Sequence, residues 1–244
     1  MKSAFKIIGI AILLVVVVAG FYFYVGLPDV SDLKTKNPRS TALMVQRYRE
    51  AKNVDATFRI RQKWIELEAI PKLLRETVRV TEDASFYQHK GVDFAELKEA
   101  IKKNWAKKEY ARGASTITQQ LAKNLYLSTE KSIIRKIEEV LITLRLEKDL
   151  SKDRIFEIYL NVIEWGPGIF GVRMASEFYF NKDVGQLTLE EIIRLVAVIP
   201  RPLKINPTEN SDWLKWKARW IVDALRRYAY IDEEQHQTIS ARFQ

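Results

Sequence analysis

Apolar and polar positions divide the chain into three stretches. From Ile7 to Val25 the sequence carries no charge and is almost wholly apolar. As a helix rising 1.5 Å per residue this run is roughly 28 Å long, enough to cross the hydrocarbon core of a bilayer. Residues 26–40 are polar, contain Pro28 and Pro38 and show no periodicity, which predicts a linker. From residue 41 to 244 apolar positions recur at helical spacing, with no alternating strand pattern and no internal repeat. The expected organisation is residues 1–6 in the cytoplasm, an anchor at 7–25, a linker at 26–40 and one mainly α-helical domain at 41–244.

Within that domain, Pro71 suits the first turn of a helix whose face continues through Leu74, Val78 and Thr81, with Glu82 at its end. Gly91 permits a turn, and Asp93 with Glu96 has capping spacing. Thr116 with Gln119 predicts a capping box. In the helix that follows, Ile117, Leu121 and Leu125 share one face, and Gln120, Lys123 and Asn124 another. Ile133, Ile137, Val140, Leu141 and Leu144 predict the core stripe of the next helix. Ile155, Ile158, Tyr159 and Val162 predict that of another, which Gly166-Pro167-Gly168 breaks. The tail with Trp213, Trp216 and Trp220 is amphipathic and predicts packing.

The charge decides how the apolar run is read. Lys2 and Lys6 precede it, and Asp29 and Asp32 follow. The positive-inside rule puts the N-terminus in the cytoplasm and the domain outside, with Phe21 to Tyr24 as an aromatic belt. The competing reading is a cleaved signal peptide with Val17 and Ala19 at the cleavage site. The net charge of +9 suits nucleic acid, anionic lipid or a phosphorylated substrate. An anchor placing the domain outside removes nucleic acid from the expected partners. The basic stretch 102–112 around Trp105 and Tyr110 reads equally well as a solvated helix face or as a segment lying on anionic headgroups.

Candidate chemistry is limited by what is missing. The chain has no cysteine and two histidines, so a thiolate or histidine metal site is not expected. Ser-x-x-Lys occurs at Ser3, Ser31 and Ser128 without the companion elements of a serine acyltransferase. Two acids remain, Glu82 and Glu139, with cations and amides between them. Carboxylates are the usual machinery of glycosidic chemistry, and one alone can serve as general base on a sugar hydroxyl. Lys123, Lys131, Arg135 and Lys136 suit a diphosphate leaving group. From residues alone, this is a membrane-anchored helical protein acting on a phosphorylated carbohydrate.

Five ordered blocks sharpen that reading. They are Glu82-Asp83-x-x-Phe86-x-x-His89-x-Gly91; Gly113-x-Ser115-Thr116-Ile117-Thr118-Gln119-Gln120 with Lys123-Asn124; Arg135-Lys136-x-x-Glu139; Glu157-x-Tyr159-Leu160-Asn161; and Phe178-Tyr179-Phe180 leading to Ile199-Pro200. Together they resemble the peptidoglycan glycosyltransferases of family 51 in their single-domain form.

The resemblance implies a lysozyme-like, mainly helical fold with a smaller membrane-facing lobe. It implies polymerisation of lipid II into glycan strands, with inversion and release of undecaprenyl diphosphate, by a single-pass protein of the bacterial inner membrane whose catalytic domain is on the outer, periplasmic side. Glu82 matches the general base and Glu139 the second essential acid. Lys123, Arg135 and Lys136 match diphosphate-binding cations, and Lys131 stands where a basic residue is common. Asp83, Phe86, His89, Ser115, Thr118, Gln119, Gln120 and Asn124 match positions that shape the substrate cleft. No cofactor is obligatory; a divalent cation, Mg2+ or Mn2+, at the diphosphate is compatible. Expected partners are lipid II, the growing strand, the membrane and other cell-wall synthases. The alternatives are a muramidase or lytic transglycosylase, which would degrade finished wall, and a non-enzymatic, membrane-tethered polyanion-binding scaffold.

Overall fold

The computed structural model describes residues 25–94, 96, 98, 115–130 and 132–244, together with Leu14 and Gly20. Among them the chain is mainly helical: α1 (Ala42–Lys52), α2 (Lys72–Glu82), α3 (Ile117–Tyr126), α4 (Ile133–Asp149), α5 (Lys152–Val162), α6 (Val172–Phe180), α7 (Leu189–Val198), α8 (Asp212–Arg227) and α9 (Glu233–Ala241). The expected anchor at 7–25 falls almost wholly outside the described residues, as do residues 1–6, the basic stretch 102–112 and Lys131. No helix among the described residues is long and apolar enough to cross a membrane.

α5 is the centre. Every residue from Ile155 to Val162 is buried, the burial expected of a helix packed on all sides rather than along a stripe. Its polar residues are consequently bonded. Asn161 accepts from Ile65 N at 2.9 Å and donates to Ile65 O at 2.8 Å, and Glu157 accepts from Leu67 N at 3.2 Å. α3 and α4 pack together and α3 lies on α5, while α2, α7 and α8 pack on one another as a second group.

Three features depart from the sequence expectations. A small sheet is present, ordered β1-β3-β2, with β1 at Arg61–Gln62, β2 at Glu164–Gly166 and β3 at Ile169–Phe170. Strands of two or three residues are too short to show alternation. The glycine-rich break is the turn of the antiparallel β2–β3 pair.

The second departure is the segment expected as a linker. Leu27, Val30 and Leu33 are buried, and Ser31–Lys34 forms a 3-10 turn. Arg145 donates to Leu27 O and Pro28 O at 2.9 and 3.2 Å. Arg154 donates to Leu33 O, Lys36 O and Asn37 Oδ1 at 2.7–3.0 Å. Three buried aliphatics, Leu27, Val30 and Leu33, and two distant arginines make this stretch a docked strap. Its polar composition conceals that.

The third departure is α4. Its buried residues are Glu139, Ile142, Thr143 and Leu146. Most of the expected core stripe faces outward: Ile133 is 82% exposed and Ile137 and Leu144 are exposed too, while Val140 and Leu141 are half-buried and Leu141 packs on the core; Ile134, outside that stripe, is also exposed. Periodicity found the apolar face but not which side the domain covers.

Candidate active site

The site begins where α2 ends. Asp83 closes the helix, its N–H donating to Arg79 O at 2.8 Å, and its buried side chain turns inward. There it accepts from Ile117 N at 3.0 Å, at the first residue of α3, where the helix dipole favours an anion. It also lies 3.0 Å from His89 Nε2 through both oxygens. Gly91 N–H donates to His89 Nδ1 at 3.1 Å, so Nε2 carries the proton and donates to Asp83. The adjacent acids therefore do different work. Asp83 and His89 tie loop 83–91 to α3, and Glu82, one residue earlier on the helix, points into a cleft of about 310 Å3.

Ser115, Gln120, Lys123, Pro200 and Lys217 share that cleft with Glu82. Gln120 Nε2 donates to Glu82 Oε2 at 3.0 Å, and Tyr159 hydroxyl donates to Gln120 Oε1 at 3.0 Å. Burial, with the Glu82 and Asp83 carboxylates nearby, pushes the Tyr159 phenol well above its ordinary pKa, so it stays a donor. Thr81 hydroxyl, in the cleft wall, is buried with no hydrogen-bond partner among the described residues.

Lys123 connects this centre to a second one. Burial lowers its pKa, and the charges acting on it are Glu139 and Glu82, which raise it, and Arg135 and Lys136, which lower it further. Glu139 is 3% exposed. Arg135 donates to its Oε2 at 3.1 Å and Lys136 to its Oε1. Both oxygens are thus occupied, and Glu139 serves to hold two cations. Arg135 Nε remains buried and without a partner among the described residues. No cluster of metal-ligating side chains occurs among the described residues. With Glu139 taken and cations around it, this donor set does not fit a protein-held divalent ion.

The expected cleft residues therefore separate. Glu82, Ser115, Gln120 and Lys123 line the cleft, and Arg135, Lys136 and Glu139 form the cationic cluster beside Lys123. Others do not reach the cleft. Phe86 is 0% exposed, packed on Phe156 with ring centroids 5.6 Å apart. Gln119 is consumed by the capping box with Thr116, and Thr118 by a hydrogen bond to Glu147. Asn124 is buried. These shape the cleft from behind, as His89 does, while Asp83 lies in the cleft wall beside Glu82. Sequence reasoning missed Tyr159, Thr81 and Lys217. The signal for Tyr159 was a phenol within an otherwise aliphatic stripe; Thr81 and Lys217 carry none.

Comparison with known proteins was made on this background. A family model described as Transglycosylase matches residues 50–226. A biosynthetic peptidoglycan transglycosylase of Nitrosomonas eutropha is 42% identical over 79% of this chain and 79% of its own length. One from Thiobacillus denitrificans is 47% identical over 68% of this chain and 72% of its own. A crystal structure of penicillin-binding protein 1A from Haemophilus influenzae aligns with a TM-score of 0.43 at 16% identity, covering 75% of this chain and 18% of that one.

Proposed function

The chain belongs to the transglycosylase family and is a peptidoglycan glycosyltransferase, and on that premise we propose that it polymerises lipid II with Glu82 as general base. The alternatives of a wall-degrading muramidase and of a binding scaffold do not fit that membership. In the proposed step, the 4-hydroxyl of the acceptor sugar attacks the anomeric carbon of the donor. Its proton passes to Glu82, the new O4–C1 bond forms, and the bond from C1 to the diphosphate oxygen breaks with inversion. Undecaprenyl diphosphate leaves carrying the electron pair.

The observation that carries this reading is the position of Lys123 between two acids with different duties. On one side Glu82 is held by a single neutral donor, Gln120, which leaves its other oxygen open to a substrate hydroxyl. On the other, Glu139 sets Arg135 and Lys136 beside Lys123. Three cations in a half-buried setting stabilise charge developing on a diphosphate. No step is routed through a divalent ion.

We read the helical domain as lysozyme-like with α4 in a membrane-facing lobe. The exposed Ile133, Ile134, Ile137 and Leu144 support this, because a contiguous apolar helix face in water marks an interaction surface. The strap brings Leu27 onto the same helix through Arg145, so a membrane anchor preceding it would emerge beside that face. This gives a protein of the bacterial inner membrane acting on its outer side, working on lipid II and the growing strand alongside other wall synthases.

The test is polymer formation from lipid II by the full chain in detergent, resolved by gel. Glu82→Gln is expected to lower kcat by about 10²–10⁴-fold, the usual worth of a general base. Polymer at normal yield from that variant removes Glu82 from the role.

A further inference from the structure

α8 carries Trp213, Trp216 and Trp220 at helical spacing. The helix is held on the fold by Leu214, Ala218, Ile221, Val222 and Leu225, all buried. Of the tryptophans, Trp220 packs against the core, whereas Trp213 and Trp216 do not. Trp216 is 52% exposed. Trp213 lies against it, ring centroids 5.0 Å apart at 42°, and the Arg201 guanidinium covers Trp213 at 3.7 Å. An exposed indole backed by a half-buried one with a cation fixed on it is a built surface, since it exposes apolar area that water disfavours.

The surface joins the cleft at two points. Arg201 directly follows Pro200, and Lys217, one residue after Trp216, lies 4.3 Å from the ring of Trp220; Pro200 and Lys217 both line the cleft with Glu82. Resting on the reading under Proposed function, we propose that Trp216, backed by Trp213 and flanked by Arg201, is a saccharide subsite that holds the glycan strand beyond the bond-forming centre.

The chemistry matches. The C–H face of a pyranose is apolar and flat enough to lie on an indole, with its hydroxyls left in water. Trp supplies such a face with little conformational entropy to lose. The peptide stems of peptidoglycan carry carboxylates, which Arg201 can pair as a fork.

Direction also matches. The cations assigned to the diphosphate lie on α3 and α4, whereas α8 packs chiefly on α2, α7 and α9. A strand with its phosphate end at Lys123 and Arg135 runs across Glu82 and reaches α8. The apolar face of α4 belongs to the diphosphate side, so the tryptophans are set apart from the surface assigned to lipid.

The experiment is a titration of the full chain in detergent with chitotetraose, followed by tryptophan emission and by calorimetry. Trp216→Ala is expected to weaken binding at least fivefold, with Trp216→Phe recovering part of the loss and thermal melting unchanged for both. Arg201→Gln is expected to weaken binding of glycan strands that keep their peptide stems more than that of chitotetraose. Product strands made from lipid II by Trp216→Ala are expected to be several-fold shorter.

Unchanged binding and unchanged strand length in Trp216→Ala overturn the subsite. So does unchanged binding together with weaker association with anionic vesicles, which would make the tryptophans a membrane contact. The titration needs no turnover. A wild-type chain that binds the saccharide but makes no polymer fails the lipid II reading alone, and one that polymerises with no loss in Trp216→Ala fails the subsite alone.

Discussion

Gln120 donates its amide to Glu82 Oε2 at 3.0 Å, and the Tyr159 hydroxyl donates to the carbonyl of the same amide at 3.0 Å. The carboxylate only accepts, so it takes the N–H end of the amide, and Tyr159 holds the other end in place. Tyr159→Phe keeps the ring in the core and removes that restraint. We expect kcat to fall about tenfold, within the range of one hydrogen bond to a charged group. A rate within twofold of wild type rejects the relay.

Lys123 gives a prediction of opposite sign for activity and stability. Its pKa is lowered in the fold, first by burial and then by Arg135 and Lys136, against the pull of Glu139 and Glu82. As pH rises, its proton leaves below the ordinary lysine value of 10.5, so kcat/KM should decline on the alkaline side earlier than a free lysine would allow. Lys123→Arg should lengthen the plateau. For stability, a cation whose folded pKa lies below its unfolded value costs the fold free energy at neutral pH. The cost is relieved as pH climbs from the folded to the unfolded value. Lys123→Met should therefore be inactive yet melt at a higher temperature at neutral pH. A lower melting temperature refutes the buried-cation account.

Glu139 should behave as part of a unit. Removing it by Glu139→Gln leaves Arg135 and Lys136 without their shared partner, and removing Arg135 leaves a buried acid half paired. A double-mutant cycle between Glu139→Gln and Arg135→Gln should show a coupling of about 0.5–3 kcal/mol in both melting and kcat/KM. Additive effects would mean that the two act separately.

What the sequence discloses of this site follows from the range of its signals. The capping box of Thr116 and Gln119, the end of α2 at Glu82 and the i+3 and i+4 spacing that joins Glu139 to Lys136 and Arg135 are local, and each is found where periodicity expects it. Phe86, Thr118 and Gln119 belong to the matched blocks, yet a block does not say whether a side chain faces the cleft or the core behind it. Tyr159 reaches Gln120 across 39 positions, and Arg145 reaches Leu27 across 118. No periodicity or composition reports such pairs. The stripe of α4 was legible as a stripe, but its side was decided by the packing of α3 against Ile142 and its neighbours.

Gly91 holds the loop after Glu82 in a backbone state that other residues avoid, with φ of +90°. A Cβ there would meet Thr143 Cγ2 at 2.6 Å and Glu147 Cγ at 2.9 Å. Gly91→Ala should lower stability by about 1–3 kcal/mol, a cost typical of such strain. It should also reduce kcat, because His89 and Asp83 lose their setting. Calorimetry with a parallel rate measurement checks both; a melting temperature within one degree of wild type contradicts the strain.

The exposed face of α4 can be tested without touching the cleft. Ile134→Asp with Ile137→Asp places two charges on surface positions, so melting should change little. Flotation of the chain with anionic vesicles, using protein from which the first 25 residues have been cut proteolytically, should fall several-fold. Undiminished flotation would mean that α4 faces something other than lipid.

The strap at residues 27–37 has a mechanical meaning. A loose tether lets a domain sample many altitudes above a surface, and its reach follows chain statistics. Here Arg145 and Arg154 clamp the strap carbonyl by carbonyl and Val30 is sunk into the domain. The separation between Leu27 and Glu82 becomes a property of the fold, so whatever precedes Leu27 stands at a fixed distance from the cleft.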